Sequence, residues 1–279
     1  MNMEDLKQGS DNVSFDDALA NYMVTPTRMP MNMHMLGGMY ALSDKLTLTL
    51  MANYISKEMD HLSRLGGTFR TEVSGLGDIK IGALYQFLNK NRQALHGQIG
   101  FSIPTGSVTE TDVTPASAPN TTLLPYPMQV GSGTLDPLLG ITYLGQNDHI
   151  SWGSQLQGVF RFGSNEREFR YGNQYHLNNW FGLSAFPWLS FSARLEGLIV
   201  EAIEGVDPNL VPTMVITADT ANSGGTYINS GIGFNTYISN GTFKNLRFGF
   251  EFGYPIYQNL NGIQLKNRES FTLGTQYSF

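Results

Sequence analysis

The chain holds 279 residues, 41% hydrophobic and only 14% charged, with a formal net charge of −6 and no cysteine. That charge and the lack of any Lys/Arg cluster exclude a nucleic-acid surface; zero cysteine excludes disulfides and thiolate metal sites. No apolar run reaches the roughly 20 residues of a membrane-spanning helix, and soluble domains carry roughly 25% charged residues, so low charge with 17 Phe and 13 Tyr points to the other structure lipid tolerates, a closed β-barrel.

Residues 1–4, MNME, read as the tail of a strand whose beginning is missing. No signal peptide is visible at Met1, so export implies a leader that is removed or lies outside this sequence. Residues 6–27 are polar and turn-rich and read as a long loop, with DDALANYM compatible with a short helix.

Residues 28–42 alternate. Met29, Met31, Met33, Met35 and Met39 share one face, while Arg28, Asn32, His34 and Tyr40 share the other. After the turn SDK, Leu46, Leu48, Leu50, Ala52 and Tyr54 oppose Thr47, Thr49, Met51, Asn53 and Lys57. HLSRLGGTFRTEVSGLG reads as a second loop. A strand from Asp78 sets Ile79, Ile81, Ala83, Tyr85 and Phe87 against Lys80, Gly82, Leu84 and Gln86, and LNKNRQ turns the chain. The next strand sets Leu95, Ile99, Phe101 and Ile103 against His96, Gln98, Gly100 and Ser102.

The longest loop, residues 104–134, follows, and then Leu139, Ile141 and Tyr143 oppose Asp136, Leu138, Gly140 and Thr142. Beyond the turn GQND, Ile150, Trp152, Leu156, Phe160 and Phe162 oppose Ser151, Gln155, Gln157 and Arg161. The charged loop GSNEREFRYG leads to Tyr175, Leu177, Phe181 and Leu183 against His176, Asn178, Trp180 and Gly182. After FPW, Leu189, Phe191, Ala193, Leu195 and Ile199 oppose Ser190, Ser192, Arg194 and Glu196. A loop over 203–225 precedes Ile228, Ile232, Phe234 and Ile238, which oppose Tyr227, Asn229, Gly231, Gly233, Asn235 and Tyr237. Residues 246–256 alternate most cleanly, apolar against Arg247, Gly249, Glu251 and Gly253, and FTLGTQYSF ends the chain the same way.

These make about twelve strands of near ten residues, the length a tilted strand needs to cross a bilayer. Short turns alternate with mostly longer loops, as in barrels with short periplasmic turns and long external loops. The sequence therefore predicts one all-β domain over 1–279, an antiparallel up-and-down transmembrane barrel with apolar residues toward lipid and polar ones inward.

The predicted lumen-lining set is His34, Lys57, Lys80, His96, Asp136, Arg161, Trp180, Arg194, Glu196, Tyr227, Tyr237, Arg247 and Glu251. Charged members either pair across the wall or tune a pore. His34, His96 and His176 have no local nucleophile signature and no G-x-S-x-G elbow exists, so no enzyme, catalytic residue or cofactor is expected. The methionine stripe suits Cu(I) by its thioether chemistry, but same-face neighbours stand roughly 6.6–7 Å apart and the stripe opposes His34, which assigns it to lipid. Met51, on a polar face, is the exception. A metal-handling barrel is the weaker alternative, and a structural barrel with a plugged lumen the stronger one. The loop 104–134 is a candidate gate or lid, or else an exposed cap.

MNMHMLGGMYALSDKLTLTLMANYISKEMDH, SGLGDIKIGALYQF, FSIPTGS and LPYPMQVGSGTLDPLLGITYLG, in that order, resemble the outer-membrane channel family called the meta-pathway phenol degradation proteins. The specific matches are Gly75, Gly77 and Asp78 of GLGD, and Pro125, Pro127, Gly131, Gly133 and Asp136. The resemblance implies a monomeric twelve-stranded barrel in a Gram-negative outer membrane that admits small, often hydrophobic or aromatic, molecules. It implies no catalytic residue, cofactor or metal. The chain departs at its start, where an incomplete first strand is expected to leave an open seam beside residues 271–279. Tyr277 and the terminal Phe279 resemble the signal read by the barrel insertion machinery and are expected at the periplasmic aromatic girdle.

Overall fold

The computed structural model describes residues 1–279. Eleven strands run along the barrel wall: β1 Met31–Ala41, β2 Leu46–Ser63, β3 Ile79–Lys90, β4 Gln93–Ile103, β5 Asp136–Gln146, β6 Ile150–Val159, β7 Gln174–Phe186, β8 Leu189–Val200, β9 Gly225–Tyr237, β10 Leu246–Asn267 and β11 Ser270–Tyr277. Each pairs antiparallel with its sequence neighbour, an up-and-down topology. Every short connection predicted as a turn joins two strands at one end of this sheet.

Directly opposed residues share a face, so the ladders trace two continuous surfaces. Phe191, Phe234, Phe250 and Leu273 run across four strands on one; Gln155, Asn178, Glu196 and Asn229 run on the other. The apolar surface faces lipid and the polar one faces inward.

Four expectations about the wall change. HLSRLGGTFRTEVSGLG is not a loop: β2 continues to Ser63 and turns tightly, and Thr68–Leu76 returns beside it from Leu62 to Tyr54. This hairpin stands above the bilayer, because its outer face carries Glu58, Asp60 and Arg70 joined by salt bridges of 2.7–3.0 Å. Lipid contact on β2 thus ends near Tyr54.

β6 stops at Val159, so Phe160, Arg161 and Phe162 leave the wall. The face assignment of β1 also reverses. Met33, Met35 and Met39 lie opposite Ile55, Asn53 and Thr49, on the inner face with Met51, while His34 lies opposite Tyr54, toward lipid. Both faces of this strand carry large apolar side chains, so its own alternation misled; the neighbouring strand sets the register.

The fourth change concerns closure. At bilayer level β1 pairs only with β2, and β11 only with β10. Their facing edges form the expected seam, so the terminal strand does not close the ring. Closure happens at the outer rim, through residues 1–28. The strand Met3–Gly9 pairs with residues 260–267 of β10 on one side and meets Val24–Arg28 on the other, and Val24–Arg28 pairs with the top of β2. The Met1 amine donates to Met31 O at 3.0 Å, and Asn2 N donates to Glu269 O. Residues 6–27 are accordingly ordered rather than one loop. They include a helix at Phe15–Asn21, capped by Ser14 Oγ accepting from Asp17 N at 3.1 Å. Leu6 and Ala18 pack there on Ile216 of an outer loop.

Candidate functional site

The loop 104–134 divides: residues 111–122 are mostly exposed, as a cap would be, and the segment after them is buried. Residues 111–113 and 121–123 form a small hairpin; the segment after it dives into the barrel mouth. Leu124, Tyr126 and Met128 are fully buried and Val130 nearly so. Leu124, Met128 and Val130 pack on Met29, Met59 and Val73 of the rim and the β2 hairpin. Fully burying such a side chain contributes roughly 1.5–3 kcal/mol, so this cluster is the main apolar anchor.

Polar contacts fix the same segment from below. Lys57 points inward from β2, just above the bilayer-level part of the strand, and donates to Pro127 O at 2.8 Å and Gln129 O at 2.6 Å. Burial pulls its ammonium down to about 8, with Glu110 nearby opposing the fall. Gln129 Nε2 donates to Leu124 O at 2.7 Å, and its Oε1 accepts from Glu110 N at 2.8 Å. The carboxylate of Asp78 accepts from Gly106 N at 3.0 Å and Ser132 N at 2.9 Å, tying both ends of the loop to the start of β3.

The glycines and prolines matched to the family now have physical roles. A Cβ on Gly131 would collide with the backbone of Gly106, which crosses it. Gly133 has φ +70° with Asn165 against it, a conformation that favours glycine. A Cβ on Gly77 would sit 2.6 Å from Asn53 Nδ2, and Gly75 lies under Val130. Pro125 precedes the Tyr126–Met128 turn and Pro127 lies inside it. Residues adjacent to both motif clusters thus meet at the base of one inserted loop.

Two further outer loops lock over it. Tyr171 Oη donates to Tyr126 O at 2.7 Å, Tyr126 Oη accepts from Asp207 N at 3.0 Å, and Phe169 packs edge-on against Tyr126. Arg167 pairs with Asp207 at 2.6 Å and Arg161 with Asp136 at 3.6 Å, and Arg161 also lies over the Tyr171 ring. Desolvation pushes the Tyr171 phenol up. Tyr22 of the rim donates to Asp219 and accepts from Asn222, binding the third loop to the N-terminal segment. Tyr126, Gln129, Arg167, Tyr171 and Asp207 were not singled out from the sequence. The one signal was an apolar PYPM run inside a loop otherwise rich in Thr, Pro and Ser.

Below the loop, the predicted lining residues divide. Lys80, His96, Asp136, Trp180, Arg194, Glu196, Tyr227, Tyr237, Arg247 and Glu251 share the inner face. His34 is outside, Arg161 is sealed in the outer loops, and Lys57 is covered by the loop it holds. A charged ladder crosses β7 to β10: Arg194 binds Glu251 at 2.6 Å and Glu196 at 3.5 Å, and Glu196 contacts His176 at 3.4 Å and accepts from Asn229 at 2.9 Å. Arg247 lies over the Tyr237 ring, 5.2 Å from its centroid. No group of three or more His, Cys, Asp or Glu is arranged to hold a metal ion.

No family model matches the chain, and no curated protein matches it significantly. Solved structures do. An outer membrane channel from Pseudomonas putida F1 superposes with TM-score 0.62 at 15% identity, over 98% of this chain and 89% of that one. OmpT, an outer membrane protein of Vibrio cholerae, gives 0.44 at 9% identity over 99% and 94%. The NanC porin gives 0.35 at 8% identity over 84% and 99%. Of these three, the first is close enough to bear on architecture, and at that identity it concerns the fold. With the antiparallel ladder, the lipid-facing apolar surface and the polar interior, it establishes that this chain has the fold of an outer-membrane β-barrel.

Proposed function

We propose that the protein is a channel in the outer membrane of a Gram-negative bacterium, admitting small molecules, hydrophobic or aromatic ones foremost, by diffusion. The observation that carries this reading is a set of inner-face side chains left exposed. Below the inserted loop, Met35, Met51, Lys80 and Asn235 stay exposed on the inner face, where a purely structural core would bury them. The Arg194–Glu251–Glu196 ladder sets the polarity of one wall and Trp180, Tyr227 and Leu84 offer apolar contact, while Leu138 is buried. The similar Pseudomonas protein is itself described as a channel.

The protein acts as a monomer, inserted by the barrel assembly machinery through Tyr277 and Phe279, with no enzymatic activity and no cofactor. The competing reading is a non-transporting barrel, and the burial of residues 124–131 in the mouth favours it. Planar-bilayer conductance and liposome swelling with the purified protein separate the two. Solute-dependent permeation is expected; a folded, inserted protein that passes no ion and no small solute overturns the channel.

A further inference from the structure

The two walls beneath the inserted loop differ in chemistry. On β7 to β10 the inner face is an ion-paired ladder. On β1 to β3 it carries thioethers and one free ammonium. Met51 of β2 lies opposite Gly37 of β1, with Met35 and Met39 at the two diagonal positions, and on its other side Met51 lies opposite Lys80 of β3. Opposed side chains stand roughly 4.5–5.5 Å apart and diagonal ones about 7–8 Å, within reach of a long side chain. The glycine leaves a gap between the thioethers: a Cβ there would meet only Leu50 O, at 3.7 Å. Met35 is 60% exposed, Met39 62% and Met51 41%, so a solute in the lumen can touch all three.

Lys80 has no salt bridge. The carboxylates nearest to it on the inner face are both engaged elsewhere: Asp78, two residues earlier, accepts from Gly106 N and Ser132 N, and Asp136, beyond Ser102, is held by Thr134 and Arg161. An ammonium directly across from Met51 repels a soft metal cation, which removes the chemistry thioethers alone would suggest. It attracts an anion instead. Thioethers adapt their shape and make favourable contacts with aromatic ring edges, and a single ammonium matches a single negative charge.

We propose that Met35, Met39, Met51 and Lys80 form a subsite for an aromatic carboxylate, its ring against the thioethers and its carboxylate on the Lys80 ammonium. This rests on the channel reading and narrows it to amphipathic aromatic anions. The test is flux into liposomes carrying the whole protein, with benzoate, acetate and benzyl alcohol as probes and chloride conductance measured on the same preparation. Lys80→Gln is expected to lower benzoate flux about tenfold, the loss of one charge-assisted contact, with benzyl alcohol little changed and Lys80→Arg restoring benzoate. Met35→Ser with Met51→Ser is expected to lower benzoate and benzyl alcohol but not acetate. If chloride conducts while the benzoate-to-acetate ratio ignores both variants, the subsite is wrong and the channel stands. If chloride and every solute fail to pass the wild-type protein, the channel reading itself falls. Tight Ag(I) binding that disappears with Met51→Ser would also overturn the subsite.

Discussion

Lys57→Met removes the side chain that reaches up from β2 to hold the middle of the inserted loop. The substitution keeps most of the stem volume and deletes two bonds, to Pro127 O at 2.8 Å and Gln129 O at 2.6 Å. A hydrogen bond to a charged group contributes roughly 1.5–3 kcal/mol, and the orphaned buried carbonyls add their own penalty. Burying the methionine end returns roughly 1–2 kcal/mol, and relief of the ammonium's desolvation offsets the penalty of the orphaned carbonyls. The net loosening is about 3 kcal/mol, or about a hundredfold more of the released loop. Amide hydrogen exchange over residues 124–131 should accelerate by that order, and bilayer recordings should show longer or larger openings. The pH dependence supplies a second check. The docked lysine gives up its proton near 8 and the released one near its ordinary 10.5, so between these values the released state binds more protons. Docking therefore strengthens as pH rises from about 8 toward 10.5 and weakens again as pH falls back through that window. The Met variant should lose this dependence. Unchanged exchange and conductance in Lys57→Met would refute the assignment of Lys57 as the anchor.

Asp78→Asn keeps an acceptor for only one of Gly106 N and Ser132 N, which bind different carboxylate oxygens, and should loosen the loop by roughly 1.5–3 kcal/mol, read as faster exchange with an unchanged heat-modifiable gel shift. Gly131→Ala forces its methyl into the Gly106 backbone and should displace the loop, raising conductance or lowering yield. Gly274→Ala, where a Cβ meets nothing within 4 Å, should be silent. Glu251→Gln leaves Arg194 with only the longer Glu196 contact, so the reversal potential in a salt gradient should move toward anion selectivity. Deleting Phe279 should reduce assembly into the membrane fraction severalfold while leaving the conductance of inserted molecules intact.

Alternation made the barrel legible because a strand's two faces are a local property. Phe191, Phe234, Phe250 and Leu273 could each be assigned outward from immediate neighbours, and their ladders agree. The short turns were equally local. Loops were not. Residues 61–77 carry enough Gly, Ser and charge to imitate a loop, yet cross-strand pairing with β2 makes them a hairpin. The inserted segment depends on partners far along the chain, including Lys57, Asp78, Tyr171 and Asp207, so no window around residues 124–131 contains its reason for folding inward.

By itself, then, the sequence determined the architecture: strand number near twelve, antiparallel order, which surface meets lipid on most strands, and an interior rich in polar groups. The tertiary structure alone decided three things. It turned the methionines of β1 inward and His34 outward, because that strand is apolar on both sides and a one-residue choice of register moves every side chain to the other face. It closed the ring at the outer rim through residues 1–28 while leaving the edges of β1 and β11 unpaired below. And it drove the longest loop into the mouth, because burial of Tyr126 and Met128 against distant side chains outweighs what solvent offers that segment.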